Sequence, residues 1–331
     1  MALALSEADI RTVLSMPDVI GAMETALAAF SSGQVVQPVR AVVELADAAF
    51  FGAMPGYITG CVSGHIQHPA VLGAKLVAVI ADNQPRGLPT HRASILLLDP
   101  ETGALAAILD GRLITEMRTA AVSAVSVRHM ARPDAAVLAM LGSGVQARSH
   151  LAALSLVRTF QEVRAWSPTR AHLEAFAAES PVPVHACRTA AEAVRGADVI
   201  VLATAATTPA IENSWVGEGA HVISVGACRP THREMDPALI ARARVVVDSK
   251  AAAFVESGDI VLGIREGLFA RDHVVAELGE IVAGRVPGRM SQRQVTLFKS
   301  LGLAVEDLAS ASLAFERARM LGRGVEIDLG G

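Results

Sequence analysis

The chain has 331 residues, of which 52% are hydrophobic and 19% are charged, which is enough for a large core and more than the usual size of one domain. Its net charge of −4 comes from acidic and basic residues mixed along the whole length, and no basic block indicates a nucleic-acid partner. This composition fits neither disorder nor a coiled coil, and it favours a two-domain protein that binds a small molecule.

The three cysteines, Cys61, Cys187 and Cys228, are scattered, and none forms a CxxC motif or a metal-type cluster with histidine. Such a set predicts reduced thiols without a disulfide, no metal site and a cytoplasmic protein. The N-terminal stretch MALALSEADIRT lacks a basic n-region, and no apolar run approaches the roughly 18 residues that span a bilayer. We therefore expect no targeting signal and no membrane association.

The first part of the chain predicts one helix followed by strands. The helix covers MPDVIGAMETALAAFSSG, and Gly33 marks its end. Loop ADNQPRGLPTHR and the hairpin-like DPETG separate strand-like runs, which are VRAVVEL, FFGAMPGYI, LGAKLVAVI, ASILLLD and LAAILDG. These runs predict a separate, mostly antiparallel unit.

A helix over residues 115–131 is expected to bridge to a second unit, where short β-rich runs alternate with helical stretches from about Ala135. The predicted strands are AAVLAML, EVRAW, VPVHA, DVIVLAT, HVISVGA and RVVVDS. The alternation predicts a parallel sheet covered by helices, and six strands are the number that a full Rossmann dinucleotide fold requires. A last helix, LGLAVEDLASASLAFERARML, is expected to return to the first unit.

The stretch LGSGVQA has the GxGxxA spacing, with Gly142, Gly144 and Ala147. The first glycine permits a tight turn, the second lets backbone approach a pyrophosphate, and the small third residue lets the helix pack on the strand. The helix that begins at about Val145 then directs its amide groups at the phosphates. Such a turn alone often only connects a strand to a helix. The surrounding alternation of predicted strands and helices favours nucleotide binding.

Cofactor choice is expected about 20 residues later, where an acidic residue would bind a ribose 2′-OH. This chain has Trp166, Ser167, Pro168, Thr169 and Arg170 there. Two hydroxyls and a guanidinium group without a carboxylate favour NADPH over NADH, with these two hydroxyls and Arg170 as the cofactor contacts. The alternative is that Arg170 only opens a helix into solvent.

Lys75 lies in the apolar run VLGAKLVAV, and the only other lysines are Lys250 and Lys299. Desolvation lowers the pKa of a lysine, which suits proton transfer near neutral pH. The alternative is a lysine that extends from the strand edge to solvent or pairs with Asp82 or Glu44.

Two arginines and one histidine are further candidates. Arg118, in ITEMRTAA, and Arg40, in QPVRAVV, could each bind a substrate carboxylate, although abundant arginines are more often solvated charges. His91, in the loop GLPTHRAS, is a candidate second proton donor or a plain surface residue. No HExxH or GxSxG motif supports a metalloenzyme or a hydrolase.

A set of motifs extends from about Arg40 to Asp307, and ITxxRTAA before a GxGxQA turn is its most specific pair. The motifs are GAKLV, DNQPRGLPTH, LDPETG, DGRLITEMRTAA, LGSGVQARSH, GADVIVLAT, VGACRP, REMD, ESGD, VAELGEIVAG and VTLFKSLGLAVED. This combination resembles the ornithine cyclodeaminase and mu-crystallin family, most closely its mu-crystallin branch of ketimine reductases.

The resemblance implies an α/β fold with two domains. Residues 1–120, with a C-terminal helix over 303–331, would form a mixed α+β substrate and dimerisation domain. Residues 121–302 would form the Rossmann NAD(P)-binding domain. A homodimer is therefore expected.

The resemblance also implies residue roles. Lys75 falls on the active-site lysine, Arg118 on the arginine that binds the substrate carboxylate, and Arg40 on a second substrate arginine. The residues that would contact the cofactor are Thr119, Gly142, Gly144, Val145, Gln146, Thr204, Val225 and Ser300.

Two positions depart from the family pattern. In VGACRP, Cys228 occupies the substrate-site position where cyclodeaminases carry a catalytic aspartate, and a thiol cannot replace that carboxylate at neutral pH. Pro168 stands where mu-crystallin has an arginine facing the 2′-phosphate. The first departure argues against true cyclodeaminase activity.

The resemblance therefore implies an NAD(P)H-dependent reductase of imines that bear a carboxylate, such as Δ1-pyrroline-2-carboxylate or Δ1-piperideine-2-carboxylate. The alternatives are an alanine-type amino-acid dehydrogenase, an ornithine cyclodeaminase, or a non-catalytic protein that binds NADPH or a small ligand of the thyroid-hormone type.

Overall fold

The computed structural model describes residues 1–46, 49–63, 66–68 and 70–328. The chain divides into two compact units. Unit 1 comprises Met1–Arg118 and Leu303–Gly331, and unit 2 comprises Thr119–Gly302. Each unit is built around a large sheet of its own.

Strands and helices have the following bounds. The strands are β1 (Ala2–Leu5), β2 (Val35–Val36), β3 (Ala41–Ala46), β4 (Ala49–Ile58), β5 (Cys61–Ser63), β6 (Ile66–His68), β7 (Val71–Ile80), β8 (His91–Leu98), β9 (Leu105–Asp110), β10 (Val137–Leu141), β11 (Glu162–Trp166), β12 (His185–Ala186), β13 (Val199–Leu202), β14 (His221–Ser224), β15 (Arg244–Val247), β16 (Val274–Glu277), β17 (Thr296–Lys299) and β18 (Val325–Ile327). The helices are α1 (Glu7–Val13), α2 (Met16–Ser31), α3 (Arg112–Met130), α4 (Val145–Val157), α5 (Arg170–Glu179), α6 (Ala190–Val194), α7 (Pro237–Arg242), α8 (Lys250–Glu256), α9 (Gly258–Arg265), α10 (Leu278–Val282) and α11 (Ala304–Met320).

The sheet of unit 1 has the order β18-β1-β9-β8-β7-β4-β2, with β3 also paired to β4. Its neighbours are antiparallel except β1 and β9, which are parallel. The mostly antiparallel prediction is therefore confirmed. The sequence did not predict β1, β2, β5, β6, β18 or α1, and the predicted loop before β8 contains a short 3-10 helix over Ala81–Arg86.

Helix α11 lies on this sheet because two glycines leave room for it. Gly56 in β4 pairs with Gly73 in β7. A Cβ at Gly73 would lie 2.2 Å from Leu96 O and 2.8 Å from the Leu308 side chain, and a Cβ at Gly56 would lie 3.1 Å from Leu308. The helix therefore approaches the sheet at Leu308, and Gln37 Oε1 accepts the Val305 N–H at its first turn.

The sheet of unit 2 is parallel throughout, with the order β12-β11-β10-β13-β14-β17-β15-β16. All residues of β13, β14 and β17 are buried, as expected for strands covered on both faces. The predicted α/β fold class is confirmed, and the six predicted strands are present. The sequence missed β16 and β17, and β17 lies between the fifth and sixth predicted strands.

No single helix in the described residues has the length and apolar character of a bilayer-spanning segment; only α1 and α2, counted together across an 88° bend, reach that measure of length and composition. Cys187 and Cys228 are free thiols. The side chain of Cys61 lies outside the described residues.

Candidate active site

Lys75 lies in the middle of β7 with 2% of its surface exposed. Its Nζ donates a 2.9 Å hydrogen bond to Asp307 Oδ1, from the first turn of α11. The alternatives of a solvent-exposed lysine or of pairing with Asp82 or Glu44 are wrong, because the partner comes from a helix 232 residues later in the chain.

The pKa values of this pair follow from its surroundings. Burial lowers the pKa of Lys75 to about 8; the Asp307 carboxylate opposes this, and the charges of Arg118 and Arg40 reinforce it. Burial also raises the pKa of Asp307, but the charges of Arg118 and Lys75 outweigh it and hold that pKa below its usual value. At neutral pH the pair is therefore ionic. The pKa of the Lys75 amine lies only slightly above this pH.

Arg118, in α3, is 6% exposed and bonds the same carboxylate. Its Nε donates to Asp307 Oδ1 at 3.0 Å, and its Nη1 donates to Glu306 Oε2 at 2.9 Å. Asp307 Oδ2 is buried and accepts no hydrogen bond from the described part of the chain. Two carboxylates on α11 therefore hold the guanidinium group and the amine in fixed positions.

Arg40 is half-buried and directly precedes β3. Gly52 leaves room for its stem, since a Cβ there would lie 3.3 Å from Arg40 Cδ. The Arg40 charge contributes to lowering the pKa of both Lys75 and His91. Arg40 is therefore close enough to add its charge to this cluster, and its role in substrate binding stays a prediction.

His91 is the first residue of β8 and does not lie in the predicted loop. Burial lowers its pKa to about 4, and the charges of Lys75 and Arg118 contribute. The imidazole is therefore neutral at pH 7, which argues against His91 as a cationic proton donor.

The cluster combines three basic side chains with two carboxylates. Lys75, Arg118 and Arg40 carry the positive charges, and Glu306 and Asp307 the negative ones. The carboxylate of a small ligand would neutralise the remaining positive charge of the cluster. The amine of Lys75, whose pKa is lowered, would lie beside that ligand.

In unit 2, the glycine turn has the predicted geometry. Gly142 has φ +118°, and a Cβ there would lie 2.3 Å from Ala203 O, so only glycine fits. Gly144 precedes α4, and a Cβ there would meet no atom within 4 Å. Ala147 is fully buried, and Gln146 Oε1 is buried without a hydrogen-bond partner in the described residues.

The turn before α4 is open and lies at the start of a helix, so it fits a dinucleotide phosphate. Val145, beside the turn, is exposed.

A pocket follows β11 and includes Ser167 and Arg170, while Thr169 begins α5 as its N-cap. Arg170 donates from Nε to Glu174 Oε1 at 2.7 Å, so its guanidinium group is partly engaged on its own helix. Arg188, which the sequence reading did not single out, also lines this pocket.

The same pocket is lined by His185, Cys187 and Glu192, whose potential ligand atoms lie within 4.8 Å of one another. Cys187 and His185 therefore lie close together, which the sequence spacing did not show, and the expected absence of a metal site stays a prediction. Glu192 provides the third group, and it comes from the next helix.

A buried carboxylate fixes two of the turns at the carboxyl ends of the sheet. Glu234 Oε1 accepts the Thr204 N–H at 3.0 Å and the Thr204 hydroxyl at 2.7 Å. Glu234 Oε2 accepts the Ser224 hydroxyl at 2.7 Å and the Gly226 N–H at 2.9 Å. Burial raises the pKa of Glu234. The turns that contain Thr204 and Val225 are thus tied together by one side chain.

The remaining predicted residues of unit 2 lie near these turns or in the interior. Cys228 donates from Sγ to Val225 O at 3.6 Å, so it closes the turn after β14. Thr119 is buried in α3, and Ser300 is buried and bonds Asp248 Oδ2 at 3.4 Å. Their contacts with a cofactor stay predictions.

Sequence reasoning missed three acidic residues, Glu306, Asp307 and Glu234. Glu306 and Asp307 occur in the run LAVEDLA, where the other residues are apolar. Two carboxylates at the start of an otherwise apolar helix need cationic partners when buried, and that pattern was the available signal.

Comparison with known proteins identifies the family of this chain. The model of the ornithine cyclodeaminase/mu-crystallin family matches residues 2–321. The chain belongs to this family. The resemblance found in the sequence is thereby confirmed.

Within the ornithine cyclodeaminase/mu-crystallin family, several relatives cover nearly the whole chain. Ketimine reductase mu-crystallin of Rattus norvegicus is 43% identical over 298 residues, which are 89% of this chain and 90% of the rat protein. A Delta(1)-pyrroline-2-carboxylate reductase of Bacillus cereus is 35% identical over 98% of this chain and 99% of its own.

Among solved structures, Thermococcus litoralis Delta(1)-pyrroline-2-carboxylate reductase in complex with NADH and L-proline is similar with a TM-score of 0.92. It is 36% identical, and the match covers 98% of this chain and 100% of the other. An archaeal alanine dehydrogenase dimer with bound NAD has the same TM-score at 30% identity, covering 99% of each chain.

Proposed function

We propose that this chain is an NAD(P)H-dependent reductase of cyclic imines that carry a carboxylate, such as Δ1-pyrroline-2-carboxylate and Δ1-piperideine-2-carboxylate. The observation that carries the proposal is the buried cluster of Lys75, Arg118 and Asp307. Relatives named for ketimine and pyrroline-2-carboxylate reduction support the same chemistry.

Arg118 and Arg40 bind the substrate carboxylate in this mechanism. Arg118 is held by Glu306 and Asp307 before any substrate arrives, so little ordering cost remains when the carboxylate binds. The excess of basic over acidic groups favours an anionic substrate and disfavours a neutral or cationic one.

Lys75 acts as the general acid and protonates the imine nitrogen. With a pKa of about 8, most of the amine is protonated at pH 7 and can still release its proton readily. A nicotinamide cofactor would supply the hydride for the imine carbon, and with the proton from Lys75 the C=N bond would become CH–NH at the cost of one NAD(P)H and one proton. Asp307 keeps the Lys75 ammonium group in place.

We also propose that NADPH is preferred over NADH. The carboxyl end of β11 offers Ser167, Thr169 and Arg170 and no carboxylate, and Arg188 lines the same pocket. These groups can receive a 2′-phosphate, although Glu192 also borders the pocket. The Michaelis constants for NADPH and NADH test this directly, and a lower constant for NADH would refute it.

The test of the function is a panel of imino and keto acids followed by oxidation of NADPH and NADH. Turnover of the preformed cyclic imines, with little turnover of pyruvate plus ammonia, is expected. Preference for pyruvate plus ammonia would indicate an alanine-type dehydrogenase instead. Release of ammonia from ornithine would indicate a cyclodeaminase, and no oxidation across the panel would favour a binding protein.

A further inference from the structure

We propose that unit 2 contains a reversible Zn²⁺ site formed by His185, Cys187 and Glu192. The three side chains offer an imidazole nitrogen, a sulfur and a carboxylate oxygen, and these atoms lie within 4.8 Å of one another. This is the donor set that zinc binds in proteins. The site lies in the pocket that follows β11.

The backbone places two of the ligands on one side of the chain. His185 belongs to β12, and Cys187 follows two residues later. Successive side chains of an extended segment alternate between faces, so residues two apart point the same way. Cys187 is buried with 1% of its surface exposed, which fixes the sulfur as the anchor of the site.

Glu192 is oriented toward His185 by a backbone contact. Its Oε2 accepts the Arg188 N–H at 2.8 Å, and its Oε1 lies 3.7 Å from His185 Nε2. That separation is close to the distance between two ligand atoms of a tetrahedral zinc ion with bonds of about 2.0–2.2 Å. A small movement of either exposed side chain would bring both atoms to the metal.

The exposure of two ligands indicates binding that is reversible and not structural. The side chains of His185 and Glu192 are 62% and 44% exposed, so the metal would keep an open position for water. Without a metal, the same two groups form only a solvent-screened contact that contributes little to stability. Coordination by the Cys187 thiolate therefore distinguishes a metal site from an exposed pair of His185 and Glu192.

Metal binding has a consequence for the cofactor, and this step rests on the proposed function. The zinc ligands share their pocket with Ser167, Arg170 and Arg188, which are the groups proposed to receive the ribose end of NADPH. A hydrated metal ion held by these ligands would occupy part of this pocket, so we expect it to exclude the ribose end of the cofactor. Zn²⁺ is thus expected to inhibit in competition with NADPH.

The first experiment is a calorimetric titration of the metal-free full chain with Zn²⁺, without nucleotide or substrate. One equivalent of Zn²⁺ is expected to bind, and Co²⁺ in its place is expected to show thiolate-to-cobalt charge-transfer absorption. His185→Gln, Cys187→Ser and Glu192→Gln should each weaken binding by about tenfold or more. His172→Gln, at an exposed histidine of α5, is the matched control and should leave binding unchanged.

His185→Gln alters an exposed side chain and keeps the test valid even where Cys187→Ser unfolds the chain. Equal Zn²⁺ affinity of wild type, His185→Gln and Glu192→Gln, or a Co²⁺ spectrum without the thiolate band, would overturn the site. In a second experiment, Zn²⁺ should raise the dissociation constant of NADPH, and an unchanged constant would contradict the competition. Failure of imine reduction would contradict the proposed function. It would not affect the Zn²⁺ titration, which is done without nucleotide or substrate.

Discussion

At the scale of single residues, Asp307 determines how Lys75 and Arg118 behave. Its Oδ1 accepts hydrogen bonds from both side chains, and all three residues are buried. A buried carboxylate shared by two cations stabilises them only when both bonds are made, because an unpaired buried charge is costly. The three residues therefore function as one unit.

Replacing Lys75 by Met should abolish most turnover because the imine nitrogen loses its proton donor. We expect kcat to fall by about 100-fold or more, in the range attributed to general acid catalysis. Binding of NADPH, measured by fluorescence titration, should be unchanged. Lys250→Met, at a partly exposed lysine of α8, is the control and should keep normal turnover.

The pH dependence of imine reduction should report the same group. Lys75 must be protonated to act as an acid, and its pKa is lowered to about 8. The ratio kcat/KM should therefore be flat below this pH and fall by about tenfold per pH unit above it. A profile that stays level up to pH 10 would contradict the role of Lys75.

Asp307→Asn should move the alkaline limb of this profile to lower pH. The carboxylate raises the pKa of Lys75, so its removal allows burial and the arginines to lower that pKa further. The free energy of unfolding should also fall, by about 3–5 kcal/mol, because buried cations lose their partner. Urea unfolding and a pH series of kcat/KM measure the two effects separately, and an unshifted limb would contradict the pairing.

The sequence predicted the cationic side of the site and missed its acidic side. Lys75 stood out as one of only three lysines in the chain and lay in an apolar strand, and the family motifs pointed to Arg118 and Arg40. Asp307 is 232 residues from Lys75 in sequence. The local sequence does not indicate which of the many carboxylates will contact a given strand. This contact could therefore be identified only from the folded structure.

At the scale of elements, the approach of α11 to its sheet depends on glycine. Gly73→Ala should lower the free energy of unfolding by ~1–3 kcal/mol or more, since the added Cβ would lie 2.2 Å from Leu96 O and 2.8 Å from Leu308. Because Asp307 precedes Leu308, imine reduction should fall as well. Urea unfolding and steady-state kinetics measure the two effects.

Gly21→Ala in α2 is the matched control for this substitution. No atom lies within 4 Å of a Cβ there, and alanine favours a helix over glycine by about 0.5–1 kcal/mol. This variant should be as stable as the wild type or slightly more so. Equal loss of stability in both variants would show that the crowding at Gly73 is not the cause.

Periodicity located most elements, including the four-residue strands β13, β14 and β15, but it missed some other short ones. Helix α4 has the predicted bounds, Val145–Val157, because its apolar spacing and the glycine turn agree. Strands β16 and β17 have four residues each, and their motifs were noted without a predicted strand. Runs of that length do not by themselves distinguish helix from strand. Strands β13, β14 and β15 were recognised because they alternate with helical stretches.

At the scale of the whole molecule, we propose that β3 is part of an interface between two copies of the chain. Val42, Val43 and Leu45 in this strand are 44%, 57% and 56% exposed. A strand that is apolar and exposed on both faces is typical of a surface that another chain covers. The homodimer expected from the family resemblance would bury these residues.

Light scattering after gel filtration should therefore give a mass of twice 34.4 kDa. Val43→Glu should shift the population toward monomer because it places a charge in the apolar interface. Val255→Glu, at a valine of α8 with the same 57% exposure, is the control and should leave the mass unchanged. A monomeric wild type would rule out this assembly.

Because Glu306 and Asp307 reside in α11, a growing polypeptide acquires Lys75 and Arg118 long before it acquires their counter-ions. Until α11 has been made, those cations lack their counter-ions and the antiparallel sheet lacks the helix that packs on it. Catalytic competence should thus require the synthesis of α11, and removal of residues 303–331 should leave Lys75 and Arg118 without their counter-ions.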